Sequence, residues 1–173
     1  MIVIFLDVDG VLNSSAYMIA NPGSFDRASW ITMLDPIACG RLERVLVATG
    51  AQIVLSSTWR KRFNARQMQG MLRRRGAPSA EVIDVTPNGV LVNNCQRAPN
   101  KCVEPGVFSD RYGVRGHEIQ RWLTLHPEVM NFAIIDDDSD MVHLMQRLVH
   151  TSWLTGMLDE HVDGLIEMLR TDG

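Results

Sequence analysis

The chain has 173 residues, 46% of them hydrophobic and 21% charged, with a formal net charge of −3, a composition that excludes disordered, collagen-like and low-complexity chains. At this length one domain buries roughly 68–70% of the unfolded surface, so a single domain over 1–173 is expected. No apolar run approaches the roughly 20 residues that cross a bilayer, and Met1 to Leu6 runs without a basic lead into Asp7 and Asp9, so it does not read as a signal peptide; a cytoplasmic protein is expected.

Residues 2–6 are an unbroken apolar and β-branched run ending in Asp-Val-Asp-Gly, the profile of a strand buried on both faces of a parallel sheet. Residues 13–34 lack periodicity and are long for a connection, which marks a candidate flap or small cap. Asp35-Pro36 then reads as an N-cap followed by proline at the first helical position, and the stripe Ile37, Leu42, Val45, Leu46 ends at Gly50. Residues 51–55 repeat the buried-strand profile and end in Ser56 and Ser57. Residues 64–75 form an amphipathic helix with Met68, Met71 and Leu72 on one side, stopped by Gly76. A weaker strand at 81–85 leads into a second irregular stretch, 87–114, read as an insertion. A helix over 116–125 presents Ile119, Trp122 and Leu123, and a strand at 132–135 runs into Asp136, Asp137 and Asp138. Ser139 is placed to cap a helix carrying Val142 and Met145. A short strand at 148–151 precedes the final stripe Val162, Leu165, Ile166 and Leu169. Strands alternating with helices in this way specify an α/β fold with a parallel sheet of about five strands.

The small net charge conceals an uneven distribution. From Arg44 to Ala80 the chain carries eight basic residues (Arg44, Arg60, Lys61, Arg62, Arg66, Arg73, Arg74, Arg75) and no acid, so this segment is +8 and, with a total of −3, the rest is −11. Such a block is usually a solvated helix face; the alternative is a patch that attracts phosphate. Cys39, Cys95 and Cys102 are odd in number and lack metal-ligand spacing, so they read as ordinary thiols. None of the five histidines has ligand spacing. Trp59, Trp122 and Trp153 read as core, the ten methionines as core filler, and Trp30, in the first irregular stretch, as a candidate substrate contact.

In an open parallel sheet, ligands bind outside the carboxyl ends of the strands where the strand order reverses. The three clearest strands all end in polar groups there. Asp7 and Asp9 flank Val8 at the first end, with Gly10 permitting the tight turn, and Asp136, Asp137, Asp138 and Asp140 follow the third. Carboxylates this crowded repel one another unless they share a proton or a cation, and an all-oxygen set suits Mg²⁺. An acid cluster with a hard dication is a site for phosphate. Ser56, Ser57 and Arg60 after the second strand, with Arg115 before the third, offer the hydroxyls and positive charge that hold phosphoryl oxygens.

The string Phe-Leu-Asp-Val-Asp-Gly-Val-Leu-Asn (residues 5–13) resembles the first motif of the haloacid dehalogenase (HAD) superfamily of phosphohydrolases. Ile-Val-Leu-Ser (53–56) is similar to its second motif and Ile-Ile-Asp-Asp-Asp (134–138) to its fourth. Within the superfamily, Leu-Ser-Ser-Thr-Trp-Arg (55–60), Arg-Gly-His-Glu-Ile (115–119) with Trp122, and the acidic triplet look most like the HAD domain of Swiss Army Knife RNA repair proteins. The resemblance implies a Rossmann-like three-layer fold with a minimal cap, and a Mg²⁺-dependent phosphomonoesterase. Asp7 would be the nucleophile, Asp9 the general acid and base, and Ser56 a hydrogen-bond donor to the phosphoryl group, with Gly10, Ser57, Arg60 and Lys101 as further phosphate-binding candidates. Mg²⁺ would be held by Asp7, the backbone carbonyl of Asp9, and the acids Asp136 and Asp137, with Asp137 the preferred direct ligand. Asp138 and Asp140 read as supporting or helix-capping acids. The third motif is usually lysine; Lys101 lies in the irregular stretch, and Arg115, at the expected helix start, is the favoured occupant.

The resemblance and the basic segment together point to nucleic-acid ends, RNA or DNA, or nucleotides as substrates, because members with a small cap accept larger esters. A small-metabolite phosphatase and a non-catalytic phosphate-binding or regulatory module are the alternatives. The presence of Asp9 speaks against the last, since a pure binder needs no acid/base carboxylate. A monomer or weak oligomer without membrane attachment is expected.

Overall fold

The computed structural model describes residues 1–25, 29–88 and 114–170. Among these lie five strands and five α-helices: β1 (Ile2–Leu6), α1 (Ser15–Ala20), α2 (Pro36–Thr49), β2 (Gln52–Leu55), α3 (Ala65–Arg75), β3 (Val82–Val85), α4 (Arg115–Leu125), β4 (Asn131–Asp136), β5 (Leu148–His150) and α5 (Asp159–Arg170). The sheet is wholly parallel in the order β3-β2-β1-β4-β5. This is the expected Rossmann-like α/β architecture.

Strand β1 lies at the centre because its side chains can be buried on both faces, and Val3, Ile4, Phe5 and Leu6 are all fully buried. Their alternation feeds two cores. Ile4 and Leu6 pack with Ile53, Leu55, Ala133 and Ile135 against Leu42 and Val45 of α2, Met68 and Leu72 of α3, and Val162, Leu165 and Leu169 of α5. Val3, Phe5, Val54 and Ile134 face the other way, onto Ile119 and Trp122 of α4 with Met141 and Leu144. Each such side chain contributes roughly 1.5–3 kcal/mol relative to exposure, so the sheet centre is the most firmly fixed part of the molecule.

Local signals place the helix ends. Asp35 caps α2 by accepting from the Ile37 N–H at 2.8 Å, and Gly50 closes it at φ +66°. Asn64 and Gln67 form a reciprocal capping box at the start of α3. The stretch 13–34 is more regular than its sequence suggests. Ser14 caps α1 through the Tyr17 N–H at 3.1 Å, and two 3-10 turns follow, Pro22–Phe25 and Trp30–Met33.

Three expectations need correction. The helix capped by Ser139 is instead a 3-10 helix, Val142–Arg147, preceded by buried Met141; Val142 has φ +55°, a costly value for a β-branched residue, which breaks an α-helical start there. Trp153 is not core but 45% exposed, held in a surface turn whose carbonyl accepts from Ser15 N–H. Met130 and Met145 likewise stand at the surface. The insertion at 87–114, with Lys101, Cys95 and Cys102, lies almost wholly outside the described residues; Cys39 is buried, and desolvation pushes its thiol up to about 12, as an inert core thiol. No helix among the described residues is long and apolar enough to cross a membrane.

Candidate active site

The sheet register brings the polar strand ends together. Leu6 of β1 pairs with Leu55 on one side and Ile135 on the other, so Asp7, Ser56 and Asp136 emerge side by side. The Asp7 N–H donates to the Ile135 carbonyl at 3.0 Å and the Ser56 N–H to the Leu6 carbonyl at 2.8 Å. From β1 the chain turns to β2 and β3 on one side, then crosses to β4 on the other. The space between the carboxyl ends of β1 and β4 is therefore the topological switch point, where ligands bind in such sheets.

Asp7, Asp136 and Asp137 each offer an oxygen within 4.8 Å of the other two. Gly10 makes this possible: it sits at φ +73°, and a Cβ there would lie 2.2 Å from Asp137 Cγ, so any side chain would evict the third carboxylate. Asp136 Oδ1 accepts from the Asp138 N–H at 2.9 Å, and His150 Nε2 meets the Asp137 carbonyl at 2.9 Å. Asp138 is exposed, and Asp140 accepts from the Arg115 N–H at 3.0 Å at the start of α4. Neither belongs to the cluster, in keeping with supporting roles.

Arg115 is the cation of this floor. Its side chain, 15% exposed, lies 3.3 Å from Asp136 Oδ2, 3.7 Å from Asp7 Oδ1 and 3.8 Å from Glu118 Oε2. It reaches so deep because Gly116 lets α4 press on the neighbouring loop, a Cβ there falling 2.2 Å from the Met141 carbonyl oxygen. Arg60 is turned differently from the expectation of a phosphate contact. Its nitrogens donate to Glu118 Oε2 (2.6 Å), the Ser57 carbonyl (3.0 Å) and Asn88 Oδ1 (2.8 Å), so it braces the site from behind. Glu118, 3% exposed, is thus clasped between two guanidinium groups.

Burial dominates the electrostatics. Desolvation, opposed by Arg115 and by a hydrogen bond from Ser57, raises Asp7 from 3.8 to about 6. Desolvation and then the charge of Asp7 raise Asp136 to about 8, and Asp137 is shifted upward as well, chiefly by desolvation. Three carboxylates that resist ionisation together, with oxygen donors only, fit a hard divalent cation, which would relieve their repulsion. Among the described residues, the hydroxyl of Ser56, itself 1% exposed, meets no hydrogen-bond partner, and neither does that of Thr86 at the end of β3. Buried orphan hydroxyls are costly unless something else meets them.

Asp9 stands apart from the cluster. Its carboxylate accepts from Trp59 Nε1 at 3.1 Å and from Asn13 Nδ2 at 2.8 Å, while Asn13 Oδ1 takes the Gly10 N–H at 3.0 Å. The two aspartates of the Asp-Val-Asp turn therefore face two environments. Trp59 is core, as expected, yet its indole N–H has a job that its sequence position did not disclose. Trp59, Asn13 and Glu118 are the residues that sequence reading missed here. Glu118 had a signal, one helical turn beyond Arg115, and Trp59 had a weaker one, since a buried indole N–H usually finds an acceptor.

Five parallel strands in this order, with an Asp-Val-Asp-Gly turn at the end of the central one and an acid pair beside it, define the haloacid dehalogenase class. Over residues 3–162 the chain matches the family model described as the HAD domain in Swiss Army Knife RNA repair proteins, and it belongs to that family. The family supports a phosphatase-type function in general, and HAD enzymes typically use a divalent metal, for which this acid cluster is suited. No curated protein and no solved structure matches the chain.

Proposed function

We propose that the chain is a Mg²⁺-dependent phosphomonoesterase working through an aspartyl-phosphate, with nucleic-acid ends or nucleotides as substrates. The observation that carries this reading is the division of labour between Asp7 and Asp9: one is buried among Arg115, Ser57 and the other acids, the other is held outside the cluster by Trp59 and Asn13. The Arg115 charge, which favours the ionised form of Asp7, supports it as the attacking carboxylate, and Asp9, outside the cluster, is placed to pass a proton to the leaving oxygen. A carboxylate oxygen of Asp7 attacks phosphorus and the ester P–O bond breaks, while the Asp9 carboxyl gives its proton to the leaving oxygen. Asp9, now a carboxylate, takes a proton from a water whose oxygen attacks phosphorus; the bond to Asp7 breaks, and phosphate and free Asp7 result. Ser56 offers its hydroxyl, which meets no partner among the described residues, to a phosphoryl oxygen, and Arg115 stabilises the charge developing there. Mg²⁺ bound by Asp7, Asp136, Asp137 and the Asp9 carbonyl would neutralise the cluster and the phosphoryl oxygens when present.

Assay of phosphorylated nucleotides, oligonucleotides and sugar phosphates with Mg²⁺ tests this. Turnover should be lost in chelator and in Asp7→Asn, and fall on the order of 10²–10⁴-fold in Asp9→Asn. Substantial turnover by Asp7→Asn would refute the mechanism. A preference for sugar phosphates would assign the chain to small metabolites instead.

A further inference from the structure

Asp9 lines a cavity of about 310 Å³ together with Trp30, Met33, Trp59, Lys61 and Arg62. That volume is at the lower end of the roughly 300–1,000 Å³ usual for small-molecule sites. Trp30 and Met33 come from the 3-10 turn of the 13–34 stretch, and Lys61 and Arg62 from the segment following β2. Trp30 is half-buried and meets Trp59 edge-on at 5.2 Å and Phe63 at 5.7 Å. The exposed Arg62 guanidinium lies 4.6 Å from its ring centre.

We infer that this cavity is the leaving-group subsite and takes the base of a nucleotide or of a nucleic-acid end, stacked on the Trp30 ring in place of the exposed Arg62 guanidinium. The inference rests on the proposed role of Asp9. A group that protonates the leaving oxygen must lie within hydrogen-bond reach of it, so the cavity that Asp9 lines is where the rest of the leaving alcohol is placed. Its lining then states the alcohol's chemistry. An aromatic ring beside a planar cation suits a flat, π-bearing group and gives an aliphatic chain little. Two cations on the rim, Lys61 and Arg62, suit an alcohol that carries further negative charge, as the next phosphodiester of a strand does. Trp59 ties the two functions together, since the indole that lines the cavity also holds Asp9 by its N–H.

The test compares a nucleoside monophosphate with the sugar phosphate that lacks only its base, and reads the ratio of kcat/KM between them. Wild-type protein should favour the nucleoside monophosphate. Trp30→Ala should shrink that preference by roughly 5- to 150-fold, the worth of one base–aromatic stack, and Trp30→Phe should restore most of it. Binding of both ligands to Asp7→Asn protein, followed by titration calorimetry, should give the same order of preference without turnover. An unchanged ratio in Trp30→Ala, equal loss on both esters, or an equal preference for phenyl phosphate would overturn the subsite. Hydrolysis of neither ester would refute the proposed function instead, and the Asp7→Asn binding ratio would then decide the subsite alone.

Discussion

Two regions of this protein concentrate charge of one sign, and they handle it in opposite ways. The acids at the ends of β1 and β4 converge, three carboxylates meeting within 4.8 Å and largely out of water. Most of the eight cations between Arg44 and Arg75 disperse. Arg44 pairs with Asp159 and Arg60 with Glu118, acids from distant parts of the chain; Arg73 donates to the Ala80 carbonyl, Arg74 to Gly70 and Arg75 to Leu34. Charge density along a sequence is thus no measure of a site. What matters is whether the fold turns the charges toward one point and keeps them from being answered there by the protein itself.

Breaking the brace behind the convergent site should have the largest effect on stability. Glu118 is buried between Arg60 and Arg115, and removing one partner of a buried pair costs about 3–5 kcal/mol because the other charges remain in a poor solvent. Glu118→Ala is expected to lower the chemical-denaturation free energy by about that amount and to reduce kcat as Arg115 loses its anchor. Glu118→Gln, which keeps a hydrogen-bond acceptor, should retain part of both.

The convergence itself should show in pH and metal. Asp7 and Asp136 hold their protons to higher pH in the folded chain than in the unfolded one, where such groups titrate near 3.8. The folded state therefore binds more protons between about pH 4 and pH 8, and stability must fall as pH rises through that window. A metal-free thermal midpoint should be lower at pH 8 than at pH 5. Saturating Mg²⁺ should raise the midpoint more at pH 8, where a hundred times its dissociation constant stabilises the fold by about 2.7 kcal/mol, since it binds only the ionised acids. A midpoint independent of pH without metal would mean that the cluster is already neutralised by the protein.

The dispersed region should respond least. The combined Arg73→Gln and Arg74→Gln change removes two charges whose side chains lie on the exposed face of α3, and each surface change of this kind is worth within about 0.5 kcal/mol. Small-ester turnover should be unchanged within twofold. A loss of oligonucleotide turnover with a flattened salt dependence, measured across salt concentration, would show instead that these charges track a strand.

Much of this contrast was legible in the chain before folding. Apolar runs ending in Asp7, Ser56 and Asp136 located the floor, because buried parallel strands have few other ways to end at a polar residue. Cap and stop signals at Asp35, Gly50 and Gly76 set helix bounds to within a residue. What stayed hidden depends on distant partners. Arg60 follows the second motif and reads as a phosphate contact; its orientation is fixed by Glu118, 58 positions away on a helix that packs from the opposite face. The regularity of 13–34 was hidden for another reason: α1 has six residues, too few for a helical period to show.

The central claim is that Asp7 attacks phosphorus, and a covalent trap tests it most directly. Asp9→Asn protein, mixed with a radiolabelled phosphomonoester and Mg²⁺ and quenched in acid, should carry label on the peptide containing Asp7, released by hydroxylamine. Asp7→Asn protein should carry none. Turnover by the wild type with no label on that peptide, or label on another residue, would contradict the account.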